Sequence, residues 1–219
     1  MTITEPSQAA RKDASYWCDL AAFRAAPLIA EPFAYAIVPR FIPAPAMAAV
    51  EDDFPKVTRV GSFPLPSLKY GSAFGAMIDT MRGPEFTSAV EEKFGMSLAG
   101  RPTMVTVRGM SGTRDGHIHT DSVTKLITVL LYMNSRWESE GGRLRLLRAP
   151  DNLNDVIAEV PPDEGTMLIF KNAPNAWHGY EPFNGTRRVI QLNWVTGNSV
   201  VWWDQSRHRV SALLKGLRG

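Results

Sequence analysis

A mostly β fold with flanking helices is what this sequence predicts, on three observations. Six runs of β-branched and apolar residues fall between residues 103 and 195, clusters of turn-forming residues separate them, and the hundred residues ahead of them carry helical spacing. Short strands at such intervals argue for an antiparallel sandwich or barrel.

The helical part comes first. Pro43 and Pro45 precede an apolar and acidic stretch, 47–54, that Pro55 stops. Pro84 opens a second helix over 85–94, and Gly95 stands where a C-cap glycine belongs. Phe86, Val90 and Phe94 recur at helical spacing and are expected to face a core. The strands are expected over 103–108, 125–133, 143–148, 156–160, 166–171 and 187–195. Gly141-Gly142, the segment 161–165 and Asn184-Gly185 supply turns. A short amphipathic helix is expected over 211–217. The chain reads as one domain: a helical and irregular support region over 1–100, a β core over 101–197, and a helical tail over 198–219.

Composition excludes some classes. With 24 basic against 22 acidic residues, the net charge of +2 gives no footprint for nucleic acid. Arg207, Arg209, Lys215 and Arg218 make the end of the chain locally basic, which reads as a solvated helix face. Cys18 is the only cysteine, so no intrachain disulfide forms. The first fifteen residues lack the apolar core of a secretory signal, and no run is apolar and long enough to span a membrane. A cytoplasmic protein is expected, and the sequence leaves its oligomeric state open.

Possible metal ligands concentrate in His117-Ile118-His119-Thr120-Asp121, which follows a glycine-rich loop and precedes the strand from Lys125. Residues two apart in extended chain point the same way, so His119 and Asp121 present an imidazole and a carboxylate to one point, and His117 shares that side. A further histidine, His178, stands ahead of the last strand. Two histidines and one carboxylate form the facial triad of non-haem iron(II) oxygenases, whose three protein ligands leave positions open for a bidentate oxo-acid and O2. A His-x-Asp pair alone is weak support, since such tripeptides are common and a lone histidine is more often hydrogen-bonded within a fold.

The surroundings of the pair carry a resemblance. His119-Thr120-Asp121 is followed by 127–134 (ITVLLYMN), Trp137 and Gly141-Gly142-Arg143-Leu144. Then come 165–170 (GTMLIF), 178–182 (HGYEP), and Arg188 with Trp194 six residues on. This succession, over 103–197, resembles the prolyl-4-hydroxylase-like branch of the 2-oxoglutarate/iron(II) dioxygenases. The resemblance implies a double-stranded β-helix (jelly-roll, cupin-like) core. It implies Fe(II) held by His119, Asp121 and His178, with 2-oxoglutarate as co-substrate and O2 as oxidant. It further implies Arg188 as the residue that binds the distal carboxylate of 2-oxoglutarate, Tyr132 as a hydrogen-bond donor to that carboxylate, and Leu144 as a wall of the same pocket. A guanidinium suits the task because its planar fork meets a carboxylate bidentately and keeps its charge. Arg187 is the alternative, since one register slip exchanges neighbouring strand residues between faces; the spacing to Trp194 favours Arg188. Ile190 departs from the pattern where some relatives carry a further polar contact.

The activity implied is hydroxylation of an unactivated C–H bond, with release of succinate and CO2. The substrate implied is a prolyl or other peptide side chain, with a small metabolite or sugar as the alternative. A non-enzymatic, cupin-like metal-binding or sensor module is the competing class; a carboxylate clamp past the last ligand discriminates against it. Trp177, Trp194, Trp202 and Trp203 read as packing residues. Trp137 either lines the substrate entrance or packs on the surface, and the region around 63–66 and Tyr70 is expected to cover one end of the barrel.

Overall fold

Strand register in the second half of the chain decides which side chains meet. The computed structural model describes residues 13–200. In chain order the elements are α1 (Ala14–Trp17), α2 (Leu20–Ala25), β1 (Tyr35–Val38), α3 (Ala44–Asp52), β2 (Phe63–Pro64), α4 (Ser72–Arg82) and α5 (Pro84–Phe94). Then follow β3 (Thr103–Ser111), β4 (Lys125–Tyr132), β5 (Leu144–Leu147), β6 (Val156–Val160), β7 (Met167–Lys171), β8 (His178–Gly179) and β9 (Gly185–Val195). The expected helix over 211–217, the basic stretch from Arg207, and Trp202 and Trp203 lie outside the described residues.

The strands form two antiparallel sheets that face each other, the double-stranded β-helix arrangement. The larger has the order β1-β7-β4-β9-β3-β2 and the smaller β6-β5-β8. Both faces of the larger sheet are covered. One face sets Val129, Leu131, Ile169, Ile190, Leu192 and Trp194 against the helices, where Phe23, Phe74, Met77 and Phe86 complete the larger hydrophobic cluster. The other face sets Leu130, Tyr132, Leu168, Phe170 and Val189 against Leu144, Leu146 and Val160 of the smaller sheet. Burial on both faces explains why β4 and β7 read as nearly unbroken apolar runs, in place of the alternation of a one-sided sheet.

The helices begin and end as their sequence directs. Helix α5 has Pro84 in its first turn and closes on Gly95 in the left-handed conformation (φ 59°) that costs glycine nothing. Helix α3 starts three residues before the expected 47, because Pro43 and Pro45 are tolerated in a first turn and α3 needs no donors there. Its end is tied to α4: the Asp53 carboxylate accepts from the Ala73 amide at 2.6 Å. No strand is expected before residue 103, yet β1 and β2 lie there, at the two edges of the larger sheet. The two residues of β2 are too few for a period-two signal and the four of β1 are apolar without alternation, so β1 is stabilised by its pairing with β7 rather than by its own sequence.

Trp194 is 1% exposed and packs on Phe86 with ring centroids 5.9 Å apart, joining β9 to α5. Trp194→Ala is expected to lower stability by about 3–5 kcal/mol, read as a lower urea midpoint with an unchanged slope.

Candidate metal centre and anion pocket

Two backbone hydrogen bonds bring the histidines together. His119 and His178 form an isolated antiparallel bridge, each amide donating to the other's carbonyl at 3.0 Å. The bridge adds a fourth strand's worth of chain beside β8. It puts both side chains on one side of the ladder, with ring centroids 4.3 Å apart. Asp121, two residues on, joins them by strand alternation. One ligand atom each from His119, Asp121 and His178 lies within 4.8 Å of the others.

The rings and the carboxylate are held from behind. His119 Nδ1 lies 2.8 Å from the His117 carbonyl and His178 Nδ1 lies 3.0 Å from that of Ala176. A carbonyl only accepts, so each Nδ1 carries the proton and each Nε2 is left as the lone-pair donor a metal requires. Burial, with the neighbouring His119 adding to it, lowers the His178 pKa to about 4, so the ring is neutral near neutrality. Asp121 receives the Lys125 ammonium on Oδ1 at 2.6 Å and the Thr128 hydroxyl on Oδ2 at 2.5 Å. Asn193 Nδ2 donates to Thr128 Oγ1 at 2.8 Å, which leaves that hydroxyl's single proton for Asp121. Burial raises the carboxyl's pKa, but the charges of Lys125 and His178 and these hydrogen bonds outweigh it, so Asp121 titrates below its ordinary value.

The triad opens onto a cavity of about 270 Å³ between the two sheets. Tyr132 and Leu144 line it, and so does Arg187. Arg188 does not. Its guanidinium pairs with Glu51 at 3.0 Å and lies over the Phe54 ring, on the helix side of the sheet. The expectation for Arg188 is therefore corrected in favour of the neighbouring residue. A six-residue spacing keeps Arg188 on the face of Trp194, and Trp194 faces the helices, not the cavity. The polarity of β9 carried the opposite answer: Arg187, Gln191 and Asn193 share one parity, while Arg188 falls in step with Ile190, Leu192 and Trp194. The departure noted at Ile190 moves with the correction, to the apolar Val189.

Arg187 is 4% exposed and has no ion-pair partner among the described residues. Its Nε donates to the Gly142 carbonyl at 2.8 Å, and the fork lies over the rings of Tyr180 (4.2 Å) and Tyr132 (5.7 Å). Burial depresses its pKa. The Tyr132 hydroxyl beside it is fully buried and makes no hydrogen bond of good geometry among the described residues, and burial pushes its pKa up. A desolvated cation next to an unsatisfied donor is a site shaped for an anion. His117 is exposed and serves through its carbonyl. Trp137 donates to the Gly141 carbonyl at 3.0 Å and stacks with Phe183, which makes it packing at the 141–142 turn.

Sequence reasoning missed Lys125, Thr128 and Asn193 as supports of Asp121. The polar pair Thr128 and Asn193, opposite one another in apolar strands, was the signal for two of them. A further support is Gly116, whose carbonyl accepts from the Tyr180 amide at 2.9 Å. A Cβ there would lie 2.2 Å from the Tyr180 carbonyl oxygen.

Residues 106–196 match the family model of the 2OG-Fe(II) oxygenase superfamily. No curated protein sequence matches the chain. Among solved structures, a Pseudomonas putida prolyl-4-hydroxylase is similar at 17% identity and a TM-score of 0.53, over 83% of this chain and 91% of that one. HygX from Streptomyces hygroscopicus, solved with iron bound, is similar at 9% identity and a TM-score of 0.51, over 74% and 82%. The viral collagen prolyl hydroxylase of Paramecium Bursaria Chlorella virus-1, in complex with 2OG, is similar at 12% identity and a TM-score of 0.50, over 74% and 96%. At such identities the likeness establishes the fold.

Thr128→Val keeps the shape of the side chain and removes one hydrogen bond to Asp121. It is expected to weaken Mn(II) binding by about 10–100-fold, measured by titration calorimetry, while the folded chain's circular dichroism stays unchanged.

Proposed function

We propose that this chain, whose residues 106–196 match the family model of the 2OG-Fe(II) oxygenase superfamily, is a member that hydroxylates a C–H bond of a small-molecule or peptide substrate, with His119, Asp121 and His178 holding the iron and Arg187 anchoring 2-oxoglutarate. The observation that carries the assignment is the buried, unpaired guanidinium of Arg187 in the cavity onto which the triad opens.

The residues present fit both groups. Two neutral imidazoles and a carboxylate suit iron(II), and leave coordination positions for an oxo-acid and O2. The far end of the cavity fits the distal carboxylate: Arg187 supplies charge and a planar fork, and the Tyr132 hydroxyl supplies a donor with no acceptor among the described residues. Bound iron and 2-oxoglutarate supply the oxidation of the substrate by O2, with succinate and CO2 as co-products.

The chain's own residues do the positioning. The His117 and Ala176 carbonyls fix the tautomers of the two rings. Lys125 and Thr128 keep Asp121 ionised and fix its orientation. Leu144, Leu130 and Val189 line the cavity with apolar surface, which keeps bulk water from the reacting end. A peptide side chain or a small metabolite both fit a cavity of about 270 Å³ that is shared with the co-substrate.

A carboxylate clamp separates this reading from a metal-binding sensor. Arg187→Gln is expected to weaken 2-oxoglutarate binding to the Mn(II)-loaded protein by at least about 30-fold, the loss of a charge-assisted pair worth roughly 2–3 kcal/mol. Arg188→Gln is expected to leave it within twofold, as roughly for a surface substitution. Equal losses in the two variants, or none in either, would remove the clamp. Asp121→Ala is expected to abolish both metal binding and succinate formation; succinate released at the wild-type rate would remove the triad.

A further inference from the structure

The cavity holds a second polar corner that the triad and the Arg187 end do not use. Thr106 and Arg108 stand two apart on the inner face of β3, and Gln191 of β9 lies directly opposite Thr106 in register. Ser62, just ahead of β2, lines the same corner. The side chains of Thr106, Gln191 and Ser62 make no hydrogen bond to the described protein, although Thr106 is only 7% exposed. Arg108 uses one Nη1–H on Asp115, at 2.5 Å, and the rest of its fork meets no acceptor among the described residues. Asp115 stands behind Arg108 and is itself satisfied by the Gly112 amide (2.9 Å) and Ser111 Oγ (3.3 Å).

Charge decides what this corner would take. Arg108, Lys125 and Arg187 are the cations lining the cavity, and Asp121 and the Arg108-bound Asp115 are the anions that face them. One positive charge is left over. A divalent ion adds two and a dianionic co-substrate removes two, so the loaded site still carries that single charge. In a partly desolvated cavity an uncompensated charge is costly, and a ligand that cancels it gains accordingly.

We infer that the primary substrate is a small monoanion, whose carboxylate is held by Arg108 with Gln191 and Thr106 while its C–H bond lies toward the triad. The inference rests on the proposed function, since it places the substrate beside iron and 2-oxoglutarate. Arg108 is then a specificity-determining residue: its free N–H groups meet a carboxylate bidentately, and Gln191 and Thr106 supply further donors. A primary amide of the same shape offers one acceptor, no charge and an NH2 group turned toward a cation.

The test uses the full chain loaded with Zn(II), which does not react with O2, and with 2-oxoglutarate. The probes are N-acetyl-L-amino acids with small apolar side chains and their primary amides, measured pairwise by saturation-transfer NMR. Each acid is expected to bind at least about tenfold more tightly than its amide, the step that a charge-assisted pair supplies over a neutral one. In Arg108→Met the preference is expected to fall to about one while 2-oxoglutarate affinity stays within about twofold, because distinct residues hold the two ligands. Should that variant not fold, Arg108→Lys and Gln191→Leu each retain packing and are expected to lower the preference part-way. Equal binding of acids and amides, no binding by any probe, or a loss of 2-oxoglutarate instead of the probe in Arg108→Met would each overturn the inference alone. A chain that takes up neither Zn(II) nor 2-oxoglutarate would overturn the proposed function, and this inference with it.

Discussion

Two hydrogen bonds between the backbones of His119 and His178 set the terms for everything else in the site. The residues are far apart in the chain, and neither ring has any reason of its own to approach the other. Antiparallel pairing fixes their separation and gives their side chains a common face. Asp121 follows by alternation, two residues on from His119. The glycines on either side make room for this bridge. Gly179 and Gly116 both face backbone too close for a Cβ, the first at 2.8 Å from the Gly116 carbonyl oxygen and the second against Tyr180.

The larger sheet supplies the second constraint. Because it is buried on both faces, parity along a strand separates two interiors rather than an interior from solvent. The helix-side interior is built from apolar side chains, with Ile190, Leu192 and Trp194 packed on α5 and its neighbours and Arg188 paired with Glu51 beside them. The cavity side mixes apolar walls with Thr106, Arg108, Thr128, Tyr132, Arg187 and Gln191. Register also shifts by one residue where this matters: β9 runs from Thr186 to Val189 while β3 runs only from Arg108 to Met110. The extra residue lies at the two adjacent arginines, and irregularities of this kind recur next to binding sites because they re-aim a side chain. A guanidinium held there without a carboxylate has lost several kcal/mol of hydration. The Gly142 carbonyl and two aromatic faces return part of that. The remainder is available to an incoming anion.

Much of this was legible in the sequence, and the misses have physical causes. The six strands over 103–195 were readable because their apolar runs are bounded by strong turn residues, and the grouping of His119, Asp121 and His178 through the resemblance that the stretches around them carry. Strands β1 and β2 were not readable: the all-apolar 35–38 lacks the charged and leucine alternation that marks the equally short β5, 63–64 is only two residues long, and their pairing comes from partners over a hundred and some forty residues away. The spacing to Trp194 points to Arg188, whereas the polar parity of β9, shared by Gln191 and Asn193, points to Arg187. Lys125 looked like the first residue of a strand and proved to be a partner of Asp121, a role that no local pattern announces.

Where a metal and a dicarboxylate settle in this cavity decides the roles of the triad and of Arg187. A crystal structure of the chain with Mn(II) and 2-oxoglutarate, with the metal located by its anomalous signal, answers that directly. The predicted result is one ion bonded to Nε2 of His119, Nε2 of His178 and a carboxylate oxygen of Asp121, with the distal carboxylate on the guanidinium of Arg187. An ion bound by other residues, or the distal carboxylate resting on Arg188 at the helix side of the sheet, would contradict it.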